Sequence, residues 1–129
     1  MSLNMSVVNG DQGIVGLVET EPWRVDLLHV SVHSVEDFTL FILTGGVCRA
    51  SVPILYSHLA DIESEARGSL VVDLGLVTFL DTSGLSFLIA AHKQLQALRA
   101  QLIVFSPSHR VRRLFDLTRL ASYLTIVPD

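Results

Sequence analysis

Residues 70–85 read Leu70-Val71-Val72-Asp73-Leu74-Gly75-Leu76-Val77-Thr78-Phe79-Leu80-Asp81-Thr82-Ser83-Gly84-Leu85. The opening run, residues 70–74, is short, apolar and reached after Gly68, and its place between two helical patterns makes it a central, buried strand. A loop is expected to lead from it to Asp81-Thr82-Ser83-Gly84. Beyond that point Leu85, Leu88, Leu95 and Leu98 fall on one helical face while Lys93, Gln94, Gln96 and Arg99 fall on others, which predicts a helix over residues 84–100. Asp81 is placed to cap this helix or to orient the Ser83 hydroxyl.

Working upstream, residues 27–33 alternate Leu28, Val30 and Val32 with polar neighbours, the period of a half-buried strand. Residues 39–44 form a second, more apolar strand, and residues 34–37 are few enough to join the two as a hairpin. Gly45-Gly46 is expected to close it. Ser51 offers an N-cap with Pro53 in the first turn, followed by Val52, Leu55, Leu59 and Ile62 at helical spacing. Downstream, residues 102–105 read as a strand, and Ser106-Pro107-Ser108 starts a third helix whose Val111, Leu114 and Phe115 face inward. Residues 124–127 add a last short strand. Strands alternating with helices predict an α/β fold: one domain with a mixed sheet of four to five strands and three to four helices packed mainly on one face.

Residues 1–26 are punctuated by Asn9-Gly10-Asp11, Gly13 and Pro22, and they read as an N-terminal extension with a short strand at residues 14–18. Met1-Ser2-Leu3, with Met5 close behind, is set apart as a leader ahead of the natural start. The domain proper spans residues 27–129.

The chain has 129 residues, of which 50% are hydrophobic, enough to bury a core without staples. Charged residues are 17% and the net charge is −4, so there is no broad basic surface to neutralise a phosphate backbone, and nucleic acid is not expected as a partner. Cys48 is the single cysteine, which excludes an intrachain disulfide and a cysteine zinc cage. No apolar run approaches the roughly 20 residues of a spanning helix, and no secretory signal pattern opens the chain. A cytoplasmic setting is expected.

The run at residues 70–85 resembles the signature of STAS domains, the anti-sigma factor antagonist family. It combines a buried strand, an acidic residue, the hydrophobic pair Val77 and Phe79, and then Asp81-Thr82-Ser83-Gly84-Leu85 opening a helix. A second block, Val111-Arg112-Arg113-Leu114-Phe115-Asp116-Leu117-Thr118, is similar to the family's late helix, and together the blocks account for most of the chain after Asp37. The resemblance implies a regulatory serine immediately before the glycine, here Ser83, with Thr82 as second choice. It further implies a non-enzymatic module, with no cofactor, whose unphosphorylated form binds an anti-sigma serine kinase and whose phosphorylated form does not. The partner surface expected on this basis comprises Asp81, Thr82, Ser83, Gly84, Ser86 and Phe87, and a weak homodimer is allowed for. A helix start favours an added phosphate through its unpaired N–H groups and dipole, and Gly84 would let a partner approach Ser83.

Two departures from the family pattern stand out. Kinase-regulated relatives often carry Gly-Glu-Leu-Asp after the second strand, where this chain reads Gly45-Gly46-Val47-Cys48-Arg49 without an acidic residue. That favours an alternative: a scaffold or transporter-associated STAS subunit, of a stressosome or an ABC transporter, with little phosphorylation control. Arg119 stands where many relatives have glycine.

Other groups carry less chemistry. His29 and His33 lack a third metal ligand nearby, and His58, His92 and His109 are scattered, so ordinary histidines are the simpler reading. Cys48 has no histidine placed beside it by the sequence. Arg110, Arg112 and Arg113 make a local basic cluster, most simply a solvated face. Ser83 lacks a Gly-x-Ser-x-Gly elbow, which argues against a hydrolase, and no Walker-type loop is present. Phe87 and Ile89 edge the apolar arc of the second helix, open to assignment as docking residues or as core.

Overall fold

In the computed structural model, which describes residues 13–15, 28–65 and 68–128, the alternation around Val30 does what its period requires. Leu28 and Val30 are buried on one side of a strand and His29 and Ser31 are half-buried on the other. The elements in chain order are β1 (Gly13–Val15), β2 (His29–Val35), β3 (Phe38–Val47), α1 (Val52–Glu65), β4 (Ser69–Leu80), α2 (Thr82–Ala97), β5 (Leu102–Phe105), α3 (His109–Leu117), a 3-10 turn at Leu120–Ser122, and β6 (Thr125–Val127).

The sheet has six strands in the order β1-β2-β3-β4-β5-β6, antiparallel as far as β3 and parallel from there on. The mixed α/β architecture expected from the sequence is present: the domain proper supplies five strands, within the four to five expected, and β1 adds one at the short strand expected over residues 14–18. The extra strand, β1, falls within the expected N-terminal extension; residues 1–12 and 16–26 of that extension lie outside the described residues. Neighbouring parallel strands are joined through α1, α2 and α3, and all three helices pack into one core cluster with the sheet, as crossovers of a single hand require. In that cluster Val30, Phe41, Leu43, Leu70, Val72, Leu74, Leu102 and Val104 are buried, and Leu55, Leu59, Phe87, Leu88, Leu95, Val111 and Phe115 cover them.

Three local readings are corrected. Gly45-Gly46 does not close the hairpin; both residues belong to β3, which runs on to Val47 beside β4. The hairpin turns at Glu36-Asp37, inside the connection expected at residues 34–37, and Asp37 is locked to the start of β4 because its carbonyl accepts the Ser69 N–H at 3.2 Å. Gly68 makes that lock possible, since its φ is +57 and a β-carbon there would collide with the Asp37 carbonyl oxygen.

The expected loop between Leu74 and Asp81 is strand throughout. Ile42 pairs with Asp73 but Thr44 with Leu76, and Gly45 with Val77 but Gly46 with Phe79, so β4 carries an extra residue at two places. These bulges restore Val77 and Leu80 to the buried side and leave Leu76 and Phe79 exposed on the opposite one. Alternation is broken twice, which is why the run does not read as a strand by period. In α2, the helix begins at Thr82 and ends at Ala97, and Leu98, expected inside, is 46% exposed at the C-cap.

Candidate functional site

The longest strand, β4, ends at Leu80 beside the end of β3, and the backbone N–H of Asp81 donates to the Val47 carbonyl at 3.1 Å. This bond fixes where the chain leaves the sheet. Asp81 is extended, with φ −101 and ψ −171, and α2 starts at the next residue. Its Oδ1 accepts the N–H groups of Ser83 at 2.8 Å and Gly84 at 3.2 Å, the N-cap expected from the sequence. Its Oδ2 accepts the Arg49 N–H at 3.2 Å, tying the β3–α1 loop to the helix start.

That loop is braced from below. Ser51 stands where a cap for α1 is expected, but its buried hydroxyl turns backwards, accepting the Cys48 N–H at 3.0 Å and donating to the Gly46 carbonyl at 3.1 Å. The loop residue Arg49 is consequently held at the rim with an exposed side chain.

Of the residues expected to form a partner surface, Thr82 and Ser86 are exposed and Asp81 and Ser83 half-buried. Gly84 and Phe87 are not on that surface. Gly84 is buried, and a β-carbon on it would lie 2.9 Å from both Leu80 Cγ and Val47 Cγ1, so its small size serves the packing of α2 on the sheet rather than the approach of a partner. Phe87 is 1% exposed and meets Tyr56 edge-on with ring centroids 5.1 Å apart, because it points between α1 and α2. The Ser83 and Gly84 N–H groups are occupied by Asp81, and Leu85 N–H already bonds the Asp81 carbonyl at 3.1 Å, so the first turn offers an added phosphate little open hydrogen bonding.

Sequence reasoning missed two groups near this end of the sheet. Leu76 and Phe79 are 59% and 38% exposed on the side away from the helices, a consequence of the bulges, for which Gly75 was the only hint. Arg49 registered only as a missing carboxylate, whereas its tie to Asp81 makes it a neighbour of Ser83.

The remaining candidates stay apart. His33 Nε2 lies 2.7 Å from Ser31 Oγ on β2, and among the described residues no three His, Cys, Asp or Glu side chains gather as a metal site would need. Arg112 pairs with Asp116 at 3.6 Å, while Arg110 and Arg113 are exposed on α3. His58 packs edge-on against Phe41 at 5.7 Å with Nε2 buried and unpartnered among the described residues. Burial lowers its pKa below the ordinary 6.5, and the Asp61 carboxylate opposes the shift.

Comparison with known proteins assigns the family. The STAS domain model matches residues 29–129. The chain belongs to the STAS domain family. It is a family of non-catalytic regulatory modules rather than enzymes. Over 57 residues this STAS chain is 35% identical to proteins named anti-sigma-B factor antagonist from Listeria monocytogenes and Listeria innocua, a match covering 44% of this chain and 50% of each relative. The match thus spans about half the length of those relatives. Among solved structures, an anti-sigma factor antagonist from Mycobacterium paratuberculosis superposes with a TM-score of 0.72 at 22% identity, covering 79% of this chain and 86% of that one. The antagonist SpoIIAA in its unphosphorylated form superposes with a TM-score of 0.63 at 15% identity, covering 76% and 86%. The Bacillus SpoIIAA structure in the phosphorylated form gives 0.63 at 15%, covering 76% and 90%. These likenesses establish the STAS fold. Among the described residues no helix is long and apolar enough to cross a membrane.

Proposed function

We propose that this STAS domain is a cytoplasmic anti-sigma factor antagonist that docks on an anti-sigma serine kinase through the start of α2 and is released by phosphorylation of Ser83. The observation that carries the reading is the position of Ser83: second residue of α2, half-buried, and held by the Asp81 carboxylate at the end of the longest strand. The contact surface on this reading is Thr82, Ser83 and Ser86 with the adjoining loop at residues 48–50. Its backbone is fixed by the bonds from Asp81 to both segments, so little ordering entropy is lost on docking.

The kinase supplies the phosphoryl group from its own nucleoside triphosphate. The Ser83 Oγ–P bond forms, the bond to the diphosphate leaving group breaks, and the hydroxyl proton passes to a base on the kinase. The product carries roughly −1.5 to −2 charges at one surface point, enough to reverse the electrostatics of a tight contact. The relatives named as anti-sigma factor antagonists, and the phosphorylated SpoIIAA among the fold neighbours, support this reading. Binding of the native chain, Ser83→Ala and Ser83→Asp to candidate anti-sigma kinases tests it. The first two are expected to bind and the third to fail; equal binding by all three removes Ser83 from the mechanism.

One observation favours a second reading. The loop at residues 46–49 contributes a cation and no carboxylate, as would suit a scaffold or transporter-associated STAS subunit with a fixed partner. A chain that resists phosphorylation by every cognate kinase and co-purifies with a large particle or an ABC transporter would select it.

A further inference from the structure

Asp81 places a negative charge beside Ser83 and uses it on three backbone donors, those of Ser83, Gly84 and Arg49. A phosphate on Ser83 therefore meets a carboxylate at close range and few free N–H groups, an arrangement that raises its energy unless a cation is also within reach. The same carboxylate determines which cation that is. Ser83 hangs on Oδ1 and Arg49 on Oδ2, so their backbone nitrogens are separated by one carboxylate group, a gap well within the length of an arginine side chain. Arg49 is exposed and makes no ion pair among the described residues. Its loop neighbours Val47, Cys48, Ala50 and Ser51 are uncharged, as are Thr82, Ser86 and Phe79 around the start of α2, so Asp81 and Arg49 are the charges that these two segments bring to the rim.

We propose that the Arg49 guanidinium is shared between two exclusive acceptors: a carboxylate on the docking protein while Ser83 is a free hydroxyl, and the phosphate of the same chain once Ser83 is modified. The inference rests on the reading of Ser83 as the switch and adds the residue that senses it. The planar fork of arginine suits both acceptors, because it donates two parallel N–H bonds to a carboxylate or a phosphate. The partner class follows from charge complementarity: the docking protein presents an acidic side chain opposite the loop at residues 48–50. Phosphorylation would then act twice, by adding charge and by withdrawing the cation that the partner needs.

The cis half is tested without any partner. Phosphoserine is installed at position 83 by genetic encoding, in the native chain and in Arg49→Gln, and the phosphorus resonance is followed through a pH titration. The expected result is a second phosphate ionisation about one unit higher in Arg49→Gln than in the native chain, with Arg49→Lys between them. Superimposed titrations overturn the proposal. The trans half is tested with the unmodified chain and the anti-sigma kinase that binds it: Arg49→Glu should weaken binding by about tenfold or more through like-charge contact, with an unchanged melting temperature. Equal affinity overturns it. Failure of either arm leaves the Ser83→Ala and Ser83→Asp comparison intact, whereas equal binding by those two variants sinks the switch itself whatever Arg49 does.

Discussion

Gly84 meets Val47 backbone-first where the start of α2 crosses the end of β3, with room for no β-carbon: one built on the glycine would lie 2.9 Å from Val47 Cγ1. Helix propensity favours alanine over glycine by about 1 kcal/mol, but overpacking a filled contact costs roughly 1–3 kcal/mol. Val47 is β-branched and stiff, so the clash should win. Gly84→Ala is expected to lower the unfolding free energy by about 1 kcal/mol in urea denaturation, and Gly84→Val by more. An alanine variant as stable as the native chain would show that α2 can shift at no cost.

Ser86 and Phe87 are adjacent in sequence and opposite in role. Phe87→Ala should cost about 3–5 kcal/mol by emptying the space between α1 and α2. Ser86→Arg, on the exposed face, should change stability by less than about 0.5 kcal/mol while weakening kinase binding. Calorimetry beside a binding assay separates the two; a Ser86→Arg chain that binds normally would move the docking surface elsewhere.

Arg119 adopts a left-handed backbone with φ 63 immediately before the 3-10 turn at Leu120–Ser122. That conformation costs a residue with a β-carbon roughly 1–2 kcal/mol and costs glycine nothing comparable. Arg119→Gly is expected to raise the melting temperature, with a stability gain of about 1 kcal/mol. This gives a physical reason for the glycine that many relatives carry there, and an unchanged or lower melting temperature would refute it.

His58 gives the fold a pH dependence of defined sign. Its folded pKa lies below the ordinary 6.5 because burial against Phe41 disfavours the charged ring, so protonation favours the unfolded chain. The contribution of the neutral ring is full above 6.5 and is lost as pH falls through the lowered folded value. Urea midpoints measured from about pH 8 to about pH 5 should fall more steeply in the native chain than in His58→Leu. Parallel curves would mean that the ring is solvated in either state.

Much of this was legible because local chemistry and global fold agree. The caps at Asp81 and Ser108 sit where short polar side chains precede helices with an apolar face, and the Val111 N–H bonds Ser108 Oγ at 3.3 Å. The run from Leu70 to Leu74 alternates inward and outward as a strand should. What was illegible depended on distant partners. The second half of β4 is strand because β3 continues beside it, and its bulges hide the period. Gly84 is small because of Val47, which lies one whole βαβ step earlier. Phe87 could not be told from a docking residue by sequence, since the first half of α2 has no charged face to mark its outside; Lys93 is its first charge.

Every strand of this sheet lies next to the one that precedes it in the chain. No strand has to be threaded between two others already in place, and each new helix needs only the surface that its predecessor completed. Loop closures along such a path stay short, a condition that favours rapid folding. A chain emerging from the ribosome can therefore lay down its sheet in the order of synthesis, and the serine at the start of α2 finds its supports in β3 and β4, which are made before it.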